Sequence, residues 1–177
     1  MLTLVGDSPL IVHAWSEKAK RQMLDKQMKK ATKAKEAKDP EADYEACFYR
    51  TEAGGYGFPA IGVKASMISA CRFADMKMTA ARGAFHIDAE MLEVIGEPRM
   101  REDMVRVGMG TADIRYRPEF PAWRVPVTIK FNSGVVSAEQ IANLLNIAGF
   151  GVGIGEWRPE KNGSYGRFHV GTTEDVA

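Results

Sequence analysis

Arg158, Lys161 and Arg167 stand in a stretch, residues 149–170, that also holds Trp157, Tyr165 and the glycines Gly149, Gly151, Gly153, Gly155, Gly163 and Gly166. Cations, aromatic rings and a glycine-dense backbone at this spacing are the parts needed to hold a phosphodiester chain. Guanidinium groups and backbone amides meet phosphates, a ring such as Trp157 meets a base, and Gly153 and Gly155 let the backbone come close. Glycine carries a high conformational entropy, so its density implies φ > 0 or close approach of a second backbone. The plainer alternative is a glycine-rich turn between a helix and a strand.

Two further segments concentrate positive charge. Residues 17–38 contain Lys18, Lys20, Arg21, Lys26, Lys29, Lys30, Lys33, Lys35 and Lys38 with neither Gly nor Pro, and Ser16 is placed to cap a helix that ends near Asp39-Pro40. The apolar stripe of that helix is thin, so it reads as an insertion at about 17–42 that projects from the body, either as a solvated face or as an arm that meets phosphates or a neighbouring subunit. Residues 97–124 carry Arg99, Arg101, Arg106, Arg115, Arg117 and Arg124 and no lysine. Arginine's planar fork suits bidentate phosphate contact and base stacking. The breaks at Gly108, Gly110, Pro118 and Pro121 make this an irregular Arg-rich arm, about 97–122, or a solvated hairpin with surface ion pairs.

Catalytic chemistry has few carriers. His13, His86 and His169 fall on three separate predicted strands, and no Ser-His-Asp spacing, H-E-x-x-H, P-loop or cluster of carboxylates is present. Gly151 to Gly155 follows a helix and leads to a strand, the reverse of a dinucleotide fingerprint. Cys47 and Cys71 stand outside any metal-ligand spacing and read as free thiols in a reducing compartment. We therefore expect neither metal nor cofactor, and a protein that is not an enzyme.

The elements that must position these residues follow from patterning. Leu2 to Val5, with a continuation at Leu10 to His13, reads as a central strand. A short strand is expected near Cys47 to Arg50. Val63, Met67, Ile68, Cys71 and Ala74 recur at helical spacing, and Ala84 to Ile95 reads as a second major strand. Trp123 to Phe131 alternates as a strand in which Pro126 favours an edge or a bulge. Ser137 with Gln140 forms a capping box for a helix whose stripe is Ile141, Leu144, Leu145 and Ala148, closed by Gly149 in a left-handed conformation. Residues 164–170 supply the last strand. The order is strand, helix, strand, strand, helix, strand: an α+β, ferredoxin-like βαββαβ antiparallel sheet backed by two helices, forming one domain over 1–177.

The 177 residues are 45% apolar, enough for one core, and 24 basic residues against 23 acidic leave a net charge of +1. Nucleic-acid binding must then rest on local segregation of charge. No apolar run reaches the length of a signal peptide or membrane span, so the protein is expected in the cytoplasm.

Ala148 to Gly155 together with Gly163 to Phe168 resembles the glycine-rich loop that the RAMP superfamily of CRISPR proteins carries between its last helix and last strand. Gly57 to Ala65 resembles the entry to the first helix in the backbone subunits of CRISPR effector complexes. The overall character is similar to that of small bacteriophage proteins. The resemblance implies a ferredoxin-like fold, insertions that reach a neighbour or the bound strand, and self-association. Related RNA-processing endonucleases often use a histidine as general base, which singles out His13. The expected function is non-catalytic binding of RNA or DNA, single-stranded, by a homo-oligomer. The alternatives are a protein-interaction or virion-assembly module without nucleic acid and a metal-independent ribonuclease.

Overall fold

The computed structural model describes residues 1–30, 38–107 and 110–172, and the account that follows is of these. The chain opens with β1 (Leu2–Gly6) and β2 (Leu10–Ile11), then α1 (Glu17–Gln27) and α2 (Pro40–Glu45). β3 (Tyr49–Arg50) and β4 (Tyr56–Pro59) form a hairpin that leads into α3 (Ala60–Ala70). After a 3-10 turn come α4 (Met78–Ala84), β5 (Phe85–His86) and β6 (Met91–Glu93). β7 (Arg99–Val107) and β8 (Thr111–Phe120) make a long hairpin, followed by β9 (Arg124–Val127) and β10 (Lys130–Phe131). α5 (Ala138–Gly151) then delivers the chain through a loop, residues 152–167, into β11 (Phe168–Val170). The fold is mixed α+β with several small antiparallel sheets.

β1 is central, as its mixed apolar pattern predicts. It pairs with β11 through Leu4↔Val170 and with β9 through Leu4↔Val125, so the chain's two ends share one sheet. A single antiparallel bridge, Ile95↔Arg124, ties the outer side of β9 to the chain just after β6, and β6 continues to β4 through Phe58↔Leu92. Pro126 faces Thr3 in the β1 ladder, beyond that bridge.

α3 and α5 pack against each other and α5 against β11. Val63, Met67 and Cys71 of the α3 stripe are buried, with Ile68 and Ala74 against them, and Ile141, Leu144, Leu145 and Ala148 of α5 close the same core over Leu4, Val125 and Phe168. The capping box forms, with Gln140 N 3.2 Å from Ser137 Oγ and Ser137 N 2.8 Å from Gln140 Oε1.

Three expectations are corrected. Gly149 is helical, not left-handed: α5 runs on to Gly151, and Gly149 is required because a Cβ there would overlap the Phe168 carbonyl. Gly153, at φ +71, takes the left-handed turn, and its N–H donates to Ala148 O at 2.8 Å. The basic segment is not one helix to Asp39: α1 ends at Gln27, and Asp39 instead caps the start of α2 through Ala42 N at 3.1 Å. The Arg-rich segment is not irregular: β7 and β8 pair from Arg99↔Glu119 to Val107↔Thr111. Cross-strand pairing over nine positions outweighs the breaker signal of Pro118, which sits opposite Met100.

Candidate nucleic-acid interface

The loop after α5 is tethered to the rest of the fold by its own backbone. Glu156 N donates to Ile11 O at 2.9 Å, Gly166 N to Pro9 O at 2.8 Å and Ile154 N to Gly166 O at 2.9 Å. Gly155 has φ +76 and would bring a Cβ to 2.5 Å from Ile11 O, so the glycines are there for backbone contact inside the protein. The expectation of exposed loop amides is corrected at Ile154, Glu156 and Gly166, since their N–H groups serve the fold.

What the loop leaves open is a cleft of about 330 Å³ between itself and α3. Gly62, Ala65, Ser66 and Ser69 of α3 form one wall, Gly153, Ile154, Gly155, Glu156, Arg158 and Glu160 the other, with Val12, His13, Tyr49 and Phe58 between. Spacings of three and four residues put the α3 set on one helix face. Ser66 Oγ is buried and has no hydrogen-bond partner among the described residues. Burial pushes the His13 imidazole below its ordinary value, Glu156 opposes the shift, and Arg115 and Arg117 reinforce it. His13 is therefore neutral at pH 7.

Beside the cleft lies an ionic cluster that joins the hairpin to the loop. Strand alternation puts Arg99, Arg101, Asp103, Arg115, Arg117 and Glu119 on one hairpin face. Arg117 is buried, with Nη2 2.6 Å from Asp103 Oδ2 and Nη1 3.4 Å from Glu156 Oε2. Arg101 bonds Asp103 at 2.8 Å and Glu119 at 3.0 Å, and Arg99 bonds Glu119 at 2.6 Å. Both Arg101 and Arg117 stack on the Trp157 ring, at 5.1 and 4.6 Å from its centroid, and Arg101 reaches Tyr165 as well. Trp157 itself takes a left-handed φ of 51°, a conformation that bulky residues rarely adopt. The opposite hairpin face carries the exposed Met100, Met104 and Ile114.

No family model matches this chain, and no curated protein is found similar to it.

The structure brings some of the candidate residues together and separates others. Arg101, Arg117 and Trp157 meet in the cluster, Arg99 joins through Glu119, and Gly153, Gly155 and Arg158 line the cleft. Arg158 is already held by Glu160 at 3.0 Å and by Gly155 O at 3.2 Å. Lys161 is exposed on the adjoining 3-10 turn, and Arg167 lies toward β1, its Nε 3.3 Å from Ser164 O. Arg106 is exposed nearer the hairpin tip, and Arg115 sits 3.8 Å from Asp113. Lys26, Lys29 and Lys30 are exposed on and after α1, Lys30 at 3.1 Å from Asp25. Lys33 lies outside the described residues.

His13, His86 and His169 do not converge: His86 Nδ1 lies 3.2 Å from Lys64 Nζ, and His169 is 2.6 Å from Asp7. Among the described residues no three His, Cys, Asp or Glu side chains are grouped as a metal site, and no helix is long and apolar enough to cross a membrane. Sequence reasoning missed Ser66, Ser69, Glu156 and Glu160. The one signal was the small-residue spacing Gly62, Ala65, Ser66, Ser69, which reads equally well as a helix–helix contact.

Proposed function

We propose that the protein binds single-stranded RNA or DNA without cleaving it, and that copies associate along the strand. The observation that supports this reading is the open cleft between α3 and the loop. There, Gly62, Ala65, Ser66 and Ser69 on α3 and Gly153 and Gly155 on the loop leave room for a group of the strand between the two elements, with the exposed Lys161 at the next turn. The exposed cations of α1 add a second, peripheral contact. A ferredoxin-like reading of the fold is supported by the order β11-β1-β9, extended toward β6 by the Ile95↔Arg124 bridge, with α3 and α5 packed together. It accords with a RAMP-like protein, phage-encoded and working in the cytoplasm, where Cys47 and Cys71 remain thiols.

The test is binding of a labelled oligonucleotide over a range of salt. Lys161→Ala with Arg167→Ala weakens binding and lowers the slope of log K against log[salt] by about 1 to 2. Unchanged affinity and slope remove the loop from the interface.

A second reading, a protein-assembly module, draws on the hairpin: its inner arginines are spent on Asp103, Glu119 and Glu156, and its outer face exposes Met100, Met104 and Ile114. Light scattering separates the two. The binder enlarges when oligonucleotide is added and shrinks with salt, whereas the module forms salt-insensitive particles without nucleic acid.

A further inference from the structure

We propose that the cleft between α3 and the loop takes up a single nucleobase. The inference rests on the nucleic-acid reading above and goes beyond it, because it says which part of the strand enters and which stays outside.

Size is the first constraint. About 330 Å³ lies at the small end of the ~300–1,000 Å³ range of small-molecule sites, room for one ring system and not for a length of chain. Surface character is the second. Val12, Phe58, Ile61 and Ile154 supply apolar wall, and Gly62, Ala65, Ser66 and Ser69 of α3 add only small side chains beside them. A flat, partly apolar group is what such walls accommodate.

Charge then selects among flat groups. Glu156 and Glu160 both line the cleft, Arg158 is committed to Glu160 and to Gly155 O, and Arg117 is committed to Asp103 and Glu156. A phosphate inside would face two carboxylates with no uncommitted cation among the lining groups. An uncharged base meets no such repulsion. Its phosphate would remain outside, toward the exposed Lys161 on the 3-10 turn that follows Arg158.

Hydrogen bonding is the last constraint and the most specific. Ser66 is 3% exposed and lines the cleft, and its buried Oγ has no partner among the described residues, so a ligand edge that donates or accepts against this wall completes it. His13, neutral in this setting, offers one ring donor and one acceptor. The carboxylates accept from exocyclic amino groups, which favours cytosine and adenine over uracil and thymine.

The experiment compares two labelled DNA decamers of equal charge, one of deoxycytidine and one with an abasic backbone, by fluorescence anisotropy against wild type and Ser66→Ala. On wild type the deoxycytidine strand binds about tenfold tighter than the abasic one. Ser66→Ala removes most of that preference and leaves abasic binding unchanged, as expected for loss of one hydrogen bond at a buried hydroxyl. The same variant melts no lower than wild type, because it deletes a buried hydroxyl without a protein partner. Equal binding of the two strands to wild type overturns the base pocket and leaves strand binding standing. A preference that persists unaltered in Ser66→Ala also overturns it, since the base is then bound elsewhere. No binding of either strand at low salt overturns both readings. Cytidine monophosphate that displaces the labelled strand identifies a free nucleotide as a ligand of the same pocket; a tenfold base preference without such displacement assigns the pocket to a base within a strand.

Discussion

Arg117 and Asp103 meet across the β7–β8 hairpin, Nη2 2.6 Å from Oδ2, with both side chains buried. The pair lets an arginine read as a surface cation become an interior strut. It joins the hairpin to the loop through Glu156 and lies under Trp157. Removing the acid leaves a guanidinium without its closest countercharge. Asp103→Ala is therefore expected to destabilise the fold by about 3–5 kcal/mol, read as a lower urea midpoint at constant slope. A loss below about 1 kcal/mol would mean that Arg117 reaches water or that Glu156 alone satisfies it.

Glycines of similar backbone conformation should differ sharply in their tolerance of alanine. Gly166, at φ +63, would place a Cβ onto the Ile154 carbonyl, whereas Gly54, at φ +86, has open space. Gly54→Ala carries only the conformational penalty, about 1 kcal/mol. Gly166→Ala adds a backbone clash and is expected to cost more than about 3 kcal/mol or to leave the protein unfolded. Thermal melts of the two variants side by side give the answer, and equal losses would show that the loop can move away.

Stability should fall on acidification through His13. Burial holds its folded pKa below the ordinary 6.5, so between 6.5 and that lower value the unfolded chain binds a proton that the folded chain does not. The sign is loss of stability as pH drops below about 6.5, with full stability above it. Denaturant unfolding of wild type and His13→Asn between pH 5 and pH 8 isolates the contribution. The variant has the shallower pH dependence, and identical profiles would show that His13 opens to solvent.

Both thiols should be inert in the native protein. Burial pushes Cys47 up to about 11, and Cys71 is shifted in the same direction for the same reason. At pH 8 an aromatic disulfide reagent labels neither on the timescale of minutes, and both react once denaturant unfolds the chain. Fast labelling of the native state would locate a local opening at the end of α2, next to Cys47, or at the end of α3, next to Cys71.

The local elements were written in the chain. Val63, Met67 and Cys71 on α3 and Ile141, Leu144, Leu145 and Ala148 on α5 recur with the period of a helix that buries one face, and Ser137 with Gln140 marks where α5 begins. Leu2 to Val5 carried the pattern of a central strand, and α1, with its thin apolar stripe, has no buried residue among its described side chains. All of these depend on neighbours within a few positions.

What joins distant segments was decided by tertiary structure. Arg101 and Arg117 look like phosphate ligands until the hairpin's alternation sets them beside Asp103 and Glu119, and until the loop brings Glu156 and Trp157 from far along the chain. The density of glycine was legible, but its cause was close backbone approach: Gly155 to Ile11, Gly149 to Phe168, Gly163 to Trp157 and Gly166 to Ile154. Ser66 shows the same division. Its place on α3 follows from periodicity, while its burial without a partner depends on which residues of the loop close over it. Helical and strand periods are local physics and can be read in one dimension; ion pairing, burial and the shape of a cleft are set by which surfaces meet.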